Sequence, residues 1–177
     1  TRVRDALHTR FPATGVRVNC PAVRAPLGTV AAATTEIVPA DYVFDTEDGF
    51  KVYEIPDCAG GWMYSSPDAH NAYVRFVDQN LGSRVKPLIR FIKAWKYYRN
   101  VPISSFYFEL QVAAYAAGES YIDYDIDVYR VLSRLAESSL APLDDPMGVS
   151  GYIQPCKTEL QLNTARSKLS RALGRIQ

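Results

Sequence analysis

Lys86, Arg90, Lys93 and Tyr97 recur at spacings of four, three and four residues. That is the repeat of one face of an α-helix, and it predicts a helix over 84–99. Val85, Leu88, Ile92, Trp95 and Arg99 fall together on the opposite face. Three cations on one face can hold a polyphosphate, and they can equally be solvated charge on an ordinary amphipathic helix. The segment Ile103-Ser-Ser-Phe-Tyr-Phe-Glu109 follows and places Ser104 and Ser105 at the start of a helix predicted over 106–117. A helix N-terminus offers unpaired N–H groups and the positive end of the helix dipole, both suited to phosphate. Capping by Ser104 accounts for the same residues with no ligand at all. Phe106 and Tyr107 come next and can stack on a base or enter the core.

Other residues capable of chemistry are more scattered. Asp123, Asp125 and Asp127 alternate as metal-binding acids on a strand would. The apolar positions after them, Val128, Val131, Leu132 and Leu135, have helical spacing, so an N-cap with a favourable acid in the first turn explains them better. His8 and His70 have no Asp or Cys partner at triad or ligand spacing, and structural or surface roles are expected. The run from Asp144 to Gly148 reads as a turn. Lys157, Arg166, Lys168, Arg171 and Arg175 make the last helix basic, with solvated charge as the default. Cys20, Cys58 and Cys156 are far apart, odd in number and without a C-x-x-C pair, so free buried thiols are expected rather than zinc or a disulfide.

The elements that must position these residues fall into two halves. A short helix over 2–10 carries Val3 and Leu7, with Phe11 just beyond it. Strand-like stretches follow at 16–18, 22–27, 34–38 and 50–55, with Asp48-Gly49 as a turn. They suggest one mostly antiparallel sheet. The segment 57–62 reads as a flexible loop containing Gly60-Gly61. Helices are then predicted from Ser66-Pro67 to about residue 80, and over 84–99, 106–117, 125–138 and 159–175. Strands first and helices after is an α+β pattern, divided at 1–66 and 67–177.

Composition narrows the classes. The 177 residues are 47% hydrophobic and 22% charged, which is a folded chain rather than a disordered one. The net charge of +1 gives no strong sign of nucleic-acid binding. No apolar run approaches the roughly 20 residues of a membrane span, and no signal peptide is seen, so a soluble cytoplasmic protein is expected.

Lys86-Pro-Leu-Ile-Arg-Phe-Ile-Lys-Ala-Trp-Lys96, followed by Ser104-Ser-Phe-Tyr-Phe-Glu109, resembles the helical core of the polymerase-β-like nucleotidyltransferases. More narrowly it resembles the bacterial cGAS/DncV-like enzymes, which make cyclic oligonucleotide signals in anti-phage defence. Glu36-Ile-Val-Pro-Ala40 resembles that family's carboxylate-bearing strand, and Gly60-Gly-Trp62 with Ser66-Pro-Asp-Ala-His70 resembles its loop and helix across the active site. The resemblance implies the latter part of a nucleotidyltransferase sheet followed by a helical bundle. It implies nucleoside triphosphates, ATP or GTP, as substrates, Mg2+ (or Mn2+) as cofactor, and leaves room for a regulatory protein partner. By the same likeness Glu36 is the third metal-site carboxylate, where the family more often has Asp. Lys93 contacts the donor triphosphate, Ser105 and its neighbour Ser104 meet the same phosphates, and Phe106 stacks on the donor base. The family's Gly-Ser turn and Asp-x-Asp pair have no match before Glu36, so the chain is expected to be an incomplete and inactive portion. A linear template-independent polymerase and a non-catalytic nucleotide-binding module are the alternatives.

Overall fold

The computed structural model describes residues 2–27 and 34–176, which fall into two compact units, Thr1–Ser66 and Pro67–Gln177.

The first unit opens with α1 (Arg2–Arg10), whose Val3 and Leu7 are half-buried. Two three-stranded antiparallel sheets follow, β1 (Arg17–Asn19), β2 (Ala22–Ala25) and β3 (Thr35–Ile37), then β4 (Asp41–Asp45), β5 (Lys51–Pro56) and β6 (Trp62–Ser65). Among the described residues, the single sheet expected from the sequence is two separate three-stranded ladders. β4 holds three successive β-favouring residues, Tyr42, Val43 and Phe44, without the apolar–polar alternation of a half-buried strand, and all five of its residues are exposed. Its register also shifts between Tyr42 and Phe44. β6 replaces the end of the expected flexible loop. Asp57 orders the turn before it, accepting from the N–H groups of Ala59 and Gly61, both at 2.8 Å. Gly60 has φ +103°, which the turn reserves for glycine, and a Cβ on Gly61 would lie 2.7 Å from the Asp57 carboxylate and push it aside.

The cysteine expectation is overturned. Cys20, in the turn between β1 and β2, is disulfide-bonded to Cys58, in the loop after β5, with Cα atoms 5.5 Å apart. Only Cys156 is a free thiol. Distant cysteines meet because the fold stacks the β1–β2 turn on the β5–β6 turn, which linear spacing does not reveal. Among the described residues the buried hydrophobic side chains of this unit are Ala22, Val23, Ala25 and Val52. So small a core gains much from a covalent link.

The second unit is built from α2 (Pro67–Asn80), α3 (Val85–Tyr98), α4 (Ser105–Ala116), α5 (Tyr124–Glu137) and α6 (Glu159–Ile176). A two-stranded ladder of β7 (Leu143–Asp144) and β8 (Tyr152–Ile153) lies between α5 and α6. Val85, Leu88, Ile89 and Ile92 are the buried stripe of α3, as the periodicity predicts. α4 is the central helix, packed on both α2 and α3, with Tyr107, Phe108, Leu110, Val112, Ala113, Tyr115 and Ala116 buried. α3 has no cap from its own N-cap residue Arg84; instead buried Asp78 of α2 accepts from the Lys86 N–H at 2.9 Å. Asp123 caps α5 as expected, accepting from the Asp125 N–H at 3.0 Å. Asp127 is buried and accepts from the Asp123 N–H at 2.7 Å and from the Tyr115 hydroxyl. The alternating acids are therefore a reciprocal helix cap. Burial, followed by the bond to Asp127, drives the Tyr115 hydroxyl strongly upward.

Candidate functional site

The site grows from the junction of α3 with the start of α4. Ser104 is the N-cap of α4 and its hydroxyl accepts from the Tyr107 N–H at 3.4 Å. Its own N–H donates to the Pro155 carbonyl at 2.7 Å, which fixes the entry of the helix. Tyr107 is fully buried, donating its hydroxyl to the Ala141 carbonyl at 2.6 Å and accepting from Gln111 at 3.0 Å. Burial pushes that hydroxyl up to about 12. Tyr107 is thus core, which leaves exposed Phe106 as the aromatic at the helix start.

Two lysines of α3 reach this end of α4. Lys96 donates to the Ser105 hydroxyl at 2.8 Å, and Lys93 pairs with Glu109 one turn further along α4. Burial, and then the charge of Lys93, hold the Lys96 ammonium below its usual range. An anion placed there would relieve both effects. The expected four-residue strip is divided. Lys86 is drawn to Asp78, 3.7 Å away, and Arg90 is exposed on the helix surface, while Lys93 and Lys96 turn to α4. Lys96 and Glu109 lie in the two stretches that carry the family resemblance, and sequence spacing assigns neither of them a role. The signal that finds Lys96 is its place three residues after Lys93, which sets both ammonium groups over the same neighbour.

Behind Phe106 lies the pairing that sequence spacing did not reveal. The His70 ring of α2 meets the Phe106 ring edge-on, with centroids 4.9 Å apart. His70 Nε2 sits 3.0 and 2.9 Å from the two carboxylate oxygens of Asp145. Both side chains are buried, so the surface role is excluded and the partner is 75 residues away in sequence. Asp145 also accepts from the N–H groups of Met147, Val149 and Ser150. Burial pushes the Asp145 carboxyl up, but the His70 bond, the backbone donors and the His70 charge outweigh it and hold it at about 2. Asp145 thus anchors the loop expected as a turn and, through His70, backs the Phe106 ring.

Glu36 belongs to the other unit. It lies in β3 directly opposite Arg24 of β2, with the guanidinium 3.1 Å from its carboxylate. Val23 and Ala25 are buried on the reverse face, so Arg24 and Glu36 occupy the open face. Among the described residues no group of three His, Cys, Asp or Glu side chains could hold a metal ion. These residues alone do not fit a two-metal centre, and no reaction step is derived through one. Also among the described residues, no helix is long and apolar enough to cross a membrane.

The chain has the α+β fold of a cGAS-like nucleotidyltransferase. It is similar to the solved structure of the CdnE cyclic dinucleotide synthase of Elizabethkingia meningoseptica, determined with GTP and Apcpp. The TM-score is 0.67 at 15% identity, over 99% of this chain and 69% of that one. At that identity the likeness shows the fold, and it agrees with the family resemblance read from the residues. No protein-family model and no curated protein matches the chain.

Proposed function

We propose that this chain is the later portion of a nucleotidyltransferase that makes cyclic oligonucleotide signals from nucleoside triphosphates, and that it holds the donor triphosphate at the start of α4. The observation that carries this is the convergence of Lys93, Lys96 and the Ser104–Ser105 helix start beside the exposed Phe106 ring. Phosphoryl transfer calls chiefly for positioning and charge neutralisation, and this end of the bundle can supply both. Ser105 and the free N–H groups donate to phosphate, the lysines supply charge, and Phe106, backed by His70, offers a ring for the base. The anti-phage role follows from the family likeness and belongs to the same proposal.

Lys93→Ala and Ser105→Ala test it. Each should weaken ATP or GTP binding about tenfold, the worth of one charge-assisted hydrogen bond, with helical content unchanged. Unaltered affinity in both variants, measured by calorimetry, would sink the assignment. Lys96→Ala should match them, since its ammonium reaches the same hydroxyl.

A second reading, a nucleotide-binding module without catalysis, is favoured by one observation: Glu36 stands with Arg24 rather than with other acids. That pair is about half exposed and worth less than about 1 kcal/mol, so Glu36 is free to leave it for a divalent ion. In an active protein containing this chain, Glu36→Gln should abolish pyrophosphate release at ordinary Mg2+ or Mn2+ concentration while folding persists. Near-normal turnover would remove Glu36 from the metal site. The 177-residue chain by itself is expected to bind triphosphate without turnover. One carboxylate is too few oxygen ligands for two hard cations.

A further inference from the structure

The last helix carries cations that the donor site does not use. We propose that the groove between the C-terminal halves of α3 and α6 binds a small phosphate-bearing anion at a second site, independent of the function proposed above. The groove has a volume of about 350 Å3 and is lined by Trp95, Arg99, Lys168, Arg171, Ala172 and Arg175. That volume is at the small end of ordinary ligand sites, and its lining holds four cations and no carboxylate.

Three of the four come from one face of α6, since Lys168, Arg171 and Arg175 follow at spacings of three and four. Among the described residues none of the four makes an ion pair, whereas Arg166 of the same helix lies 3.8 Å from Glu159. Like charges gathered in one groove repel, and a multivalent anion relieves that repulsion. Lys168 donates to the carbonyls of Arg99 and Asn100, at 2.7 and 3.0 Å. It thereby neutralises the negative end of α3, which would otherwise oppose an anion, and fixes Arg99 beside α6. Trp95 is half-buried and packs edge-on against Phe108, with ring centroids 6.2 Å apart, giving the groove a fixed apolar wall. At about 100° per residue, Lys96 and Lys93 lie roughly 100° and 160° around α3 from Trp95, so this groove is not the donor site. The four cations line one open groove of limited volume beside an apolar wall instead of a long stripe, which favours a small anion over a duplex.

The probe is inorganic tripolyphosphate and the reporter is Trp95 fluorescence in a Trp62→Phe background, which leaves Trp95 as the sole tryptophan. Saturable change is expected, weakened at least about tenfold by Arg171→Ala with Arg175→Ala. Both arginines are exposed, so these variants should keep the helical signal of the parent. The response should persist when Lys93 and Ser105 are both changed to Ala. No saturable response, a response indifferent to the arginines, or one lost with Lys93 and Ser105 would each overturn the proposal. A labelled short duplex is run in parallel. Arginine-dependent duplex binding without tripolyphosphate binding would overturn it in favour of a nucleic-acid surface.

Discussion

Asp145→Ala should lower the stability of the helical unit by about 3–5 kcal/mol, the cost of removing one partner from a buried pair. The reason is the number of donors left behind. His70 and three backbone N–H groups all converge on that one carboxylate, and His70 is buried. For a unit of this size the loss corresponds to a fall of roughly 12–20 °C in Tm. Asp145→Asn keeps the shape and one acceptor, and should cost less. The pH dependence has a definite sign. The folded-state carboxyl is held at about 2, below its ordinary value of 3.8, so its contribution is complete above that ordinary value. It is lost as pH falls from there toward 2, and amounts to about 2 kcal/mol for a side chain shielded from solvent. Thermal melts at pH 7 and at successively lower pH check both statements. An Asp145→Ala protein melting within a degree or two of the parent at pH 7 would show that the loop anchors itself by other means.

Breaking the Cys20–Cys58 link should be nearly as costly, and confined to the other unit. Closing 38 residues of chain reduces the freedom of the unfolded state by about 4 kcal/mol in the chain-entropy account. Among the described residues the unit buries Ala22, Val23, Ala25 and Val52 as hydrophobic core, so the link carries a large share of its stability. The two tryptophans make the outcome separable, because Trp62 lies in the first unit and Trp95 in the second. Changing both cysteines to Ser should move the Trp62 transition and leave that of Trp95 in place. Without reductant, alkylation should label Cys156 alone. Ready labelling of Cys20 and Cys58 in the native protein would remove the disulfide from the account.

The helices were readable because each hides a periodic stripe. Leu88 and Ile92 are fully buried where the 3.6-residue repeat puts them, and Ser104 and Asp123 cap where their side-chain chemistry suits them. β4 was unreadable for the opposite reason, since it buries nothing. The residues that the family likeness proposes for the donor site, Lys93, Ser104, Ser105 and Phe106, lie within a few turns of one another on two packed helices, so local spacing gathers them. His70 and Asp145 stand 75 residues apart in the second unit, and only the tertiary fold makes them a pair. The same holds for Cys20 and Cys58. In each case the partner's identity depends on which turns stack together, and composition and periodicity carry no record of that.

The contact between Lys93 and Glu109 has a bearing on selectivity. This lysine carries a counterion built into the chain, and Lys96 is bonded to a hydroxyl. A dilute monovalent anion offers too little to displace Glu109. A triphosphate brings several charges at once and can make the exchange. Fewer salt ions are then released on binding than the number of lysines suggests, so affinity should fall less steeply with ionic strength than at an open cationic surface. At the proposed donor site, an acid set among the candidate phosphate-binding groups would screen out simple salts.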